Sequence, residues 1–302
     1  MLNNNPSIEQ FRNFVELKDF RPKTKKEYVR YLCRLCDHYS SDAAALTEEQ
    51  VQRYFLHLRQ ERKLGSSAMI IAKAAFHCFF VELHRKNDWR VFSDLVIRRA
   101  ETLPIVLSRE EVGRLLGVVR EERFRICLRL IYQCGLRVGE AIGLRVEDIQ
   151  GKAGRLHIRD AKGGKDRYVP LSQAMYLELR GWWKMHRNPV WLFPSLGLGA
   201  NERLKLRSEV LKKATGPMSV STVQRAVQLA RAESGVHPET VVHTLRHSYA
   251  THLLEEGVSL RLISQYLGHA SLDTTVIYTH LTATSEEKAR QALEKLHATL
   301  PR

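Results

Sequence analysis

One segment of this 302-residue chain breaks an otherwise helical pattern, and it sets the fold class. Leu156 and Ile158 alternate with polar residues, Lys162-Gly163-Gly164-Lys165 follows, and Val169 and Leu171 alternate again. Period-two alternation on both sides of a Gly-Gly turn specifies a β-hairpin. Around it the apolar residues recur at helical spacing. Phe124 to Cys134 is an apolar-rich run that Gly135 terminates, and residues 1 to about 100 read as four or five amphipathic helices. The expected class is mainly α with a small β-sheet, α+β.

In the N-terminal part the expected helices are Ile8 to Leu17, Thr24 to Tyr39, Thr47 to Glu61 and Ser66 to His84, with a shorter one near Trp89 to Arg99. Thr24, after Arg21-Pro22-Lys23, is a suitable N-cap, and Gly65-Ser66-Ser67 marks another. Glu101-Thr102-Leu103-Pro104 reads as a linker, and Ser108 with Glu111 opens the next element as a capping box. The expected division is a helical domain over 1–100, a linker over 101–106 and a second domain over 107–302.

Chemistry concentrates near the C-terminus, in His243-Thr244-Leu245-Arg246-His247, then Leu267-Gly268-His269, then Tyr278. His243 and Arg246 are three apart and share a helix face. Pro238 and Thr240 precede that helix and Gly257 closes it, so both residues fall in its first turns, where free amides and the helix dipole favour a phosphate. A second helix, Ser259 to Leu267, ends at Gly268 and delivers His269. Ser271 is placed to cap a third, Leu272 to Tyr278. A tyrosine hydroxyl can attack phosphorus and hold it as an ester, and a guanidinium can carry the charge that develops on the non-bridging oxygens. Upstream, Arg137 sits where one helix gives way to the next, with Glu140 three residues on as a partner that would orient it.

The order H-x-x-R-H, L-G-H, then Tyr nine residues after that His resembles the C-terminal signature of the tyrosine recombinases, the integrase family that includes the Xer proteins and phage integrases. Gly135-Leu136-Arg137-Val138-Gly139-Glu140 is similar to that family's G-L-R-x-x-E box, and Lys162-Gly163-Gly164-Lys165 to its hairpin lysine turn. The resemblance covers roughly residues 104 to 281. It implies a SAM-like helical core-binding domain that clamps DNA, followed by a catalytic domain that ends in a helix over 285–298. It also implies a catalytic set of Arg137, Lys162, His243, Arg246, His269 and Tyr278. Lys162 would protonate the leaving oxygen. Lys165 would be a phosphate contact or simply solvated. Lys23, Thr24, Lys25, Ser66, Ser67 and Lys73 are DNA-contact candidates at helix starts or on helix faces, with plain solvated surface as the alternative.

Lys and Arg total 48 against 33 acids, a formal charge of +15. Of this, +5 falls in residues 1 to 103 and +10 in the remainder, so two DNA-facing lobes fit better than one basic tail. The partner expected is double-stranded DNA, in a tetrameric synapse whose protomers exchange C-terminal helices. No membrane partner is expected, because no apolar run long enough to span is expected. The N-terminus lacks the order of a secretion signal, which suggests a cytoplasmic, nucleoid-associated protein. The five cysteines lie in apolar helical runs and read as buried reduced thiols, Cys33-x-x-Cys36 included.

No cofactor and no metal is expected. His243, His247 and His252 invite a zinc reading, but no Glu adjoins them as in H-E-x-x-H, and Arg246 would repel a cation. The chain also carries no G-x-x-x-x-G-K-[ST] loop. The other rival is a DNA-binding protein that keeps the fold without cutting. Relative to compact Xer-like members there is an insertion at about 197–217, including Arg203-Leu204-Lys205-Leu206-Arg207. It is either a tolerated surface loop or an extra helix that meets DNA or a neighbouring protomer. The separate arm-site module of the larger phage integrases is not expected.

Overall fold

The computed structural model describes residues 5–98, 103–159, 166–197, 204–269 and 271–281. The chain is mostly helical with one small sheet, and it divides into two compact units, Met1–Thr102 and Leu103–Arg302.

The first unit is helical throughout its described residues. Helix α1 (Pro6–Glu16) begins two residues earlier than the apolar pattern suggests, because the Asn5 side chain caps it by accepting the Ser7 amide and Pro6 takes the first position. Proline also corrects the start of α2 (Pro22–Tyr39): Arg21 is the cap residue, and Thr24 lies in the first turn rather than capping it. Thr47 and Gln50 form a capping box on α3 (Glu48–Gln60). Gly65 precedes α4 (Ser66–His77), which continues through a π-helical segment, Cys78–Leu83. The last helix, α5 (Val91–Asp94), is shorter than expected. Contrary to the sequence expectation, Ser66–Leu83 is long and apolar enough to cross a bilayer. Its Met69, Ala72, Ala75, Phe76, Phe79 and Phe80 are buried with Phe11, Leu32, Leu35 and Phe55 in the core of this unit. Each large apolar side chain buried there contributes roughly 1.5–3 kcal/mol. Burial also pushes the thiols of Cys36 and Cys78 up to about 11, consistent with inert free cysteines.

The second unit opens with α6 (Arg109–Gly117), capped by the expected Ser108–Glu111 box. Helices α7 (Glu122–Cys134) and α8 (Val138–Ile142) lead to an antiparallel sheet of β1 (Ile149–Gln150), β2 (Arg155–Ile158) and β3 (Arg167–Pro170), in that order. Leu156 pairs with Val169 and Ile158 with Arg167, so the anticipated hairpin is present as its two strands. Strand β1 is two residues long, too short to leave an alternating pattern.

Helices α9 (Gln173–His186), α10 (Leu204–Lys213), α11 (Val220–Ser234), α12 (Val242–Glu255), α13 (Leu260–Leu267) and α14 (Asp273–Val276) follow, and then a 3-10 turn, Ile277–Leu281. The insertion thus contains a helix. α10 packs on α9, buries Leu211, and is tied down by the Asn188 amide, which donates to the carbonyls of Leu211, Lys212 and Ala214. Ser271 is not the cap of α14. That position belongs to Leu272, and Tyr278 lies on the 3-10 turn beyond the helix. The core gathers Leu115, Leu128, Ile131, Leu156, Val169 and Leu245. A smaller cluster of Tyr249, Ala250, Ile263 and Leu267 surrounds Tyr278.

Candidate active site

Two helix C-termini build the floor of the site. Helix α7 stops at Gly135, which is left-handed at φ +61°, and a Cβ there would lie 2.4 Å from the Tyr249 ring. Only glycine meets both demands. Helix α13 stops in the same way at Gly268, φ +63°. These turns leave two carbonyls facing inward, and Arg246, on α12, spans them: Nη1 donates to the Gly135 carbonyl at 2.6 Å and Nη2 to that of Leu267 at 2.7 Å. Arg246 is 1% exposed, and its Nε–H has no hydrogen-bond partner among the described residues. Burial, then the nearby charge of Arg137, brings this guanidinium down to about 10, so it remains a cation.

Arg137 stands at the start of α8. Its backbone amide donates to Glu140 Oε2 and its Nη1 to Glu140 Oε1, both at 2.8 Å, while Nη2 reaches the Gly268 carbonyl at 3.4 Å. Glu140 is the orienting partner expected from the sequence, but it serves a second cation as well. Arg167, on β3, donates Nη1 and Nη2 to the two Glu140 oxygens at 3.0 and 2.8 Å, and its Nε donates to the Tyr266 carbonyl at 2.8 Å. Burial pushes the Glu140 carboxyl up, but the hydrogen bonds and charge of Arg167, and the bonds from Arg137, outweigh it and bring it down to about 2. Sequence reasoning missed Arg167. The signal was available: Arg167 shares the inward phase of β3 with Val169, where a buried charge needs a partner.

Tyr278 and the histidines complete the group. Tyr278 is 2% exposed, and its hydroxyl lies 2.9 Å from His247 Nδ1. His243 and His247 rings meet edge-on, with centroids 4.6 Å apart. His269 Nδ1 lies 2.8 Å from Thr275 Oγ1. Partial burial of the rings, then the charges of Arg246 and Arg137, draws His243, one side of which is open to solvent, down to about 4 and His269 to about 3. Burial followed by the charges of His243 and Arg246 holds His247 at about 4. All three imidazoles are therefore neutral at pH 7. The H-x-x-R-H pattern assigns His247 no role; the structure places it on the Tyr278 oxygen. Among the described residues no group of three or more His, Cys, Asp or Glu side chains is arranged to hold a metal ion.

Arg137, His243, Arg246, His269 and Tyr278 thus stand within one connected patch. Lys162 and Lys165 lie outside the described residues. The hairpin stem below them is pinned, since Arg159 Nε donates to Asp148 at 2.6 Å and His157 Nε2 lies 2.8 Å from Asp166 Oδ2. The N-terminal candidates belong to the other unit. Lys23 and Ser67 are exposed, and Thr24 is partly buried. Ser66 Oγ donates to the Arg98 carbonyl, Lys25 bonds the Glu16 carboxylate and carbonyl, and Lys73 donates to the Leu95 carbonyl.

Two family models match the chain: "Phage integrase family" over residues 106–285, and "Phage integrase, N-terminal SAM-like domain" over residues 8–89. A tyrosine recombinase XerA of Thermococcus kodakarensis is 33% identical over 293 residues, covering 96% of this chain and 95% of the relative. Among solved structures, a XerH site-specific recombinase in a post-cleavage complex with its difH substrate matches with a TM-score of 0.67 at 20% identity, covering 95% of this chain and 85% of that one. A lambda integrase tetramer bound to a Holliday junction matches with a TM-score of 0.69 at 18% identity, covering 90% and 76%.

Proposed function

The chain belongs to the phage integrase family and is an enzyme of the tyrosine recombinase type, and from this premise we propose that it cuts and rejoins DNA through a 3'-phosphotyrosyl intermediate on Tyr278. The observation that carries the reading is the Arg246 guanidinium, which draws the G-L-R, H-x-x-R and L-G-H segments together within two hydrogen bonds of one buried cation. A phosphodiester set against Arg137 and Arg246 would have its developing charge held by two fixed cations. Tyr278 attacks phosphorus as its hydroxyl proton passes to the neutral His243 imidazole, the bond to the 5' oxygen breaks, and Lys162 donates the proton that oxygen requires. His243 assists proton transfer and His269 holds a non-bridging oxygen. The 5' hydroxyl of a partner strand then attacks the tyrosyl ester and restores the diester. One phosphoester is exchanged for another, so the energy of the bond is kept and no nucleotide triphosphate is consumed.

Strand exchange between two duplexes needs two cuts in each, which calls for four protomers on DNA, and the segment 285–298, outside the described residues, is assigned to docking between them. The positive charge of both units suits wrapping a duplex. The biological setting is mobile-element or cassette integration, or Xer-like resolution, in a cytoplasmic protein associated with the nucleoid. Incubation with a nicked suicide substrate carrying the protein's own site should trap a covalent adduct, in EDTA as well as without it, and peptide mass mapping should place the DNA on Tyr278. Tight binding with no adduct would leave a DNA-binding protein of this fold. Hydrolysis that EDTA abolishes would leave the metal-dependent alternative.

A further inference from the structure

The Tyr278 hydroxyl is stored below the surface that a phosphate would approach. His243 is exposed and Arg137 and His269 are half-buried, whereas Tyr278 is closed in by Tyr249, Ala250, Ile263 and Leu267. The chain that carries it is pinned at two points. Tyr278 Oη meets His247 Nδ1 at 2.9 Å, and three residues earlier Thr275, fully buried, meets His269 Nδ1 at 2.8 Å. Among the described residues between Gly268 and the 3-10 turn, the one helix is four residues long, and so short a helix has little stability of its own. Side-chain bonds therefore decide where this segment rests.

The His247 bond is suited to holding and ill suited to activating. Burial raises the Tyr278 phenol, and burial with neighbouring cations keeps His247 neutral, so no proton passes between them, and in the tautomer that leaves Nδ1 bare the imidazole accepts the phenol's hydrogen bond. On the reading that Tyr278 is the nucleophile, we propose that His247 is a positioning residue that latches the tyrosine hydroxyl in the resting protein, and that cleavage begins when the phenol leaves His247 for the phosphate. A buried hydroxyl deprived of its acceptor is strongly disfavoured. Removing the acceptor alone should therefore shift the segment toward its released position by about tenfold.

The test reads Tyr278 accessibility and cleavage separately, on the full chain. Tetranitromethane nitration without DNA, resolved by peptide mass spectrometry, should spare Tyr278 in the natural protein while modifying Tyr168, which is 44% exposed. In His247→Phe, Tyr278 should become reactive, and the adduct on a single suicide half-site should form about tenfold faster. His247→Gln, which keeps an acceptor, should restore protection. Continued protection in the Phe variant, exposure without faster adduct formation, or a Gln variant that behaves like Phe would each overturn the latch. If the Phe variant does not fold, nitration of Tyr278 in the natural protein at the rate of Tyr168 overturns it as well. An adduct formed by Tyr278→Phe would instead remove the nucleophile assignment, while nitration still reports whether His247 shelters Tyr278.

Discussion

Glu140 and Arg167 face each other as a two-point pair, with both carboxylate oxygens taking a guanidinium N–H at 3.0 and 2.8 Å. The same carboxylate accepts two bonds from Arg137 and lies 3.9 Å from Arg246 Nη1, so one acid balances three cations.

Glu140→Gln leaves Arg167 and Arg246 buried without their counter-charge. Breaking one side of such a pair costs about 3–5 kcal/mol, and denaturant melts of the full chain should show a loss on that scale together with impaired cleavage. A change within about 0.5 kcal/mol, as expected of an ordinary surface substitution, would remove Glu140 from this role. Arg167→Lys should fall between the two, because an ammonium cannot serve both carboxylate oxygens and the Tyr266 carbonyl from one fixed plane.

Gly268→Ala should damage the site without touching a reacting group. The residue is at φ +63°, and a new Cβ would lie 2.9 Å from Arg167 Cδ. The left-handed conformation alone costs about 1–2 kcal/mol for a residue with a Cβ, and Arg167 must also move. Adduct formation should drop at least about tenfold while DNA affinity changes little. Normal trapping rates would show that the corner tolerates the shift.

Lys162→Ala should slow cleavage of an ordinary site far more than of one with a 5'-bridging phosphorothiolate, whose leaving group needs little protonation. General acids contribute roughly 10²–10⁴-fold, so rescue by sulfur should recover most of that factor. Equal defects on both substrates would move the acid role elsewhere, with Lys165 the next to test.

Truncation after Thr284 should leave binding to one site nearly intact and weaken cooperative pairing of sites. At helical spacing Ala289, Ala292, Leu293 and Leu296 would share one face as an apolar stripe, and such a stripe would need a surface to bury against. Gel-shift and recombination assays of the truncated chain give the answer. Synapsis and recombination at the natural level would mean that the stripe serves only its own protomer.

Acid should weaken the fold through histidines stored neutral. His186, 2% exposed, accepts the Asn188 amide through Nδ1, and burial brings it down to about 4. The unfolded chain binds a proton near pH 6.5 that this folded ring refuses, so the stability present above that pH is lost as pH falls toward 4. His243, His247 and His269 act in the same direction. Melting temperature should therefore drop between pH 7 and pH 5, and the drop should be shallower in His186→Leu, whatever that variant's starting stability. Identical slopes would take His186 out of the account.

The sequence singled out five side chains that the structure gathers in one patch, Arg137, His243, Arg246, His269 and Tyr278, because phosphate chemistry restricts which residue types can serve and glycines mark where the chain has to turn. It carried their supports poorly. Arg167 reaches Glu140 across 27 residues and the Tyr266 carbonyl across 99, and His247 reaches Tyr278 across 31, separations that no local pattern encodes. Helix starts were displaced where the first position belonged to a proline: Pro6 and Pro22 start α1 and α2 earlier than the apolar periodicity shows.

The acceptors that hold Arg246 are main-chain carbonyls, those of Gly135 and Leu267. A peptide oxygen has no protonation equilibrium in the working range and no side chain to substitute. These two bonds therefore do not change with the protonation of their acceptors, and substitutions at 135 or 267 reach them through the backbone. That part of the guanidinium's orientation is inherited from the path of the chain and lasts for as long as the two turns keep their shape.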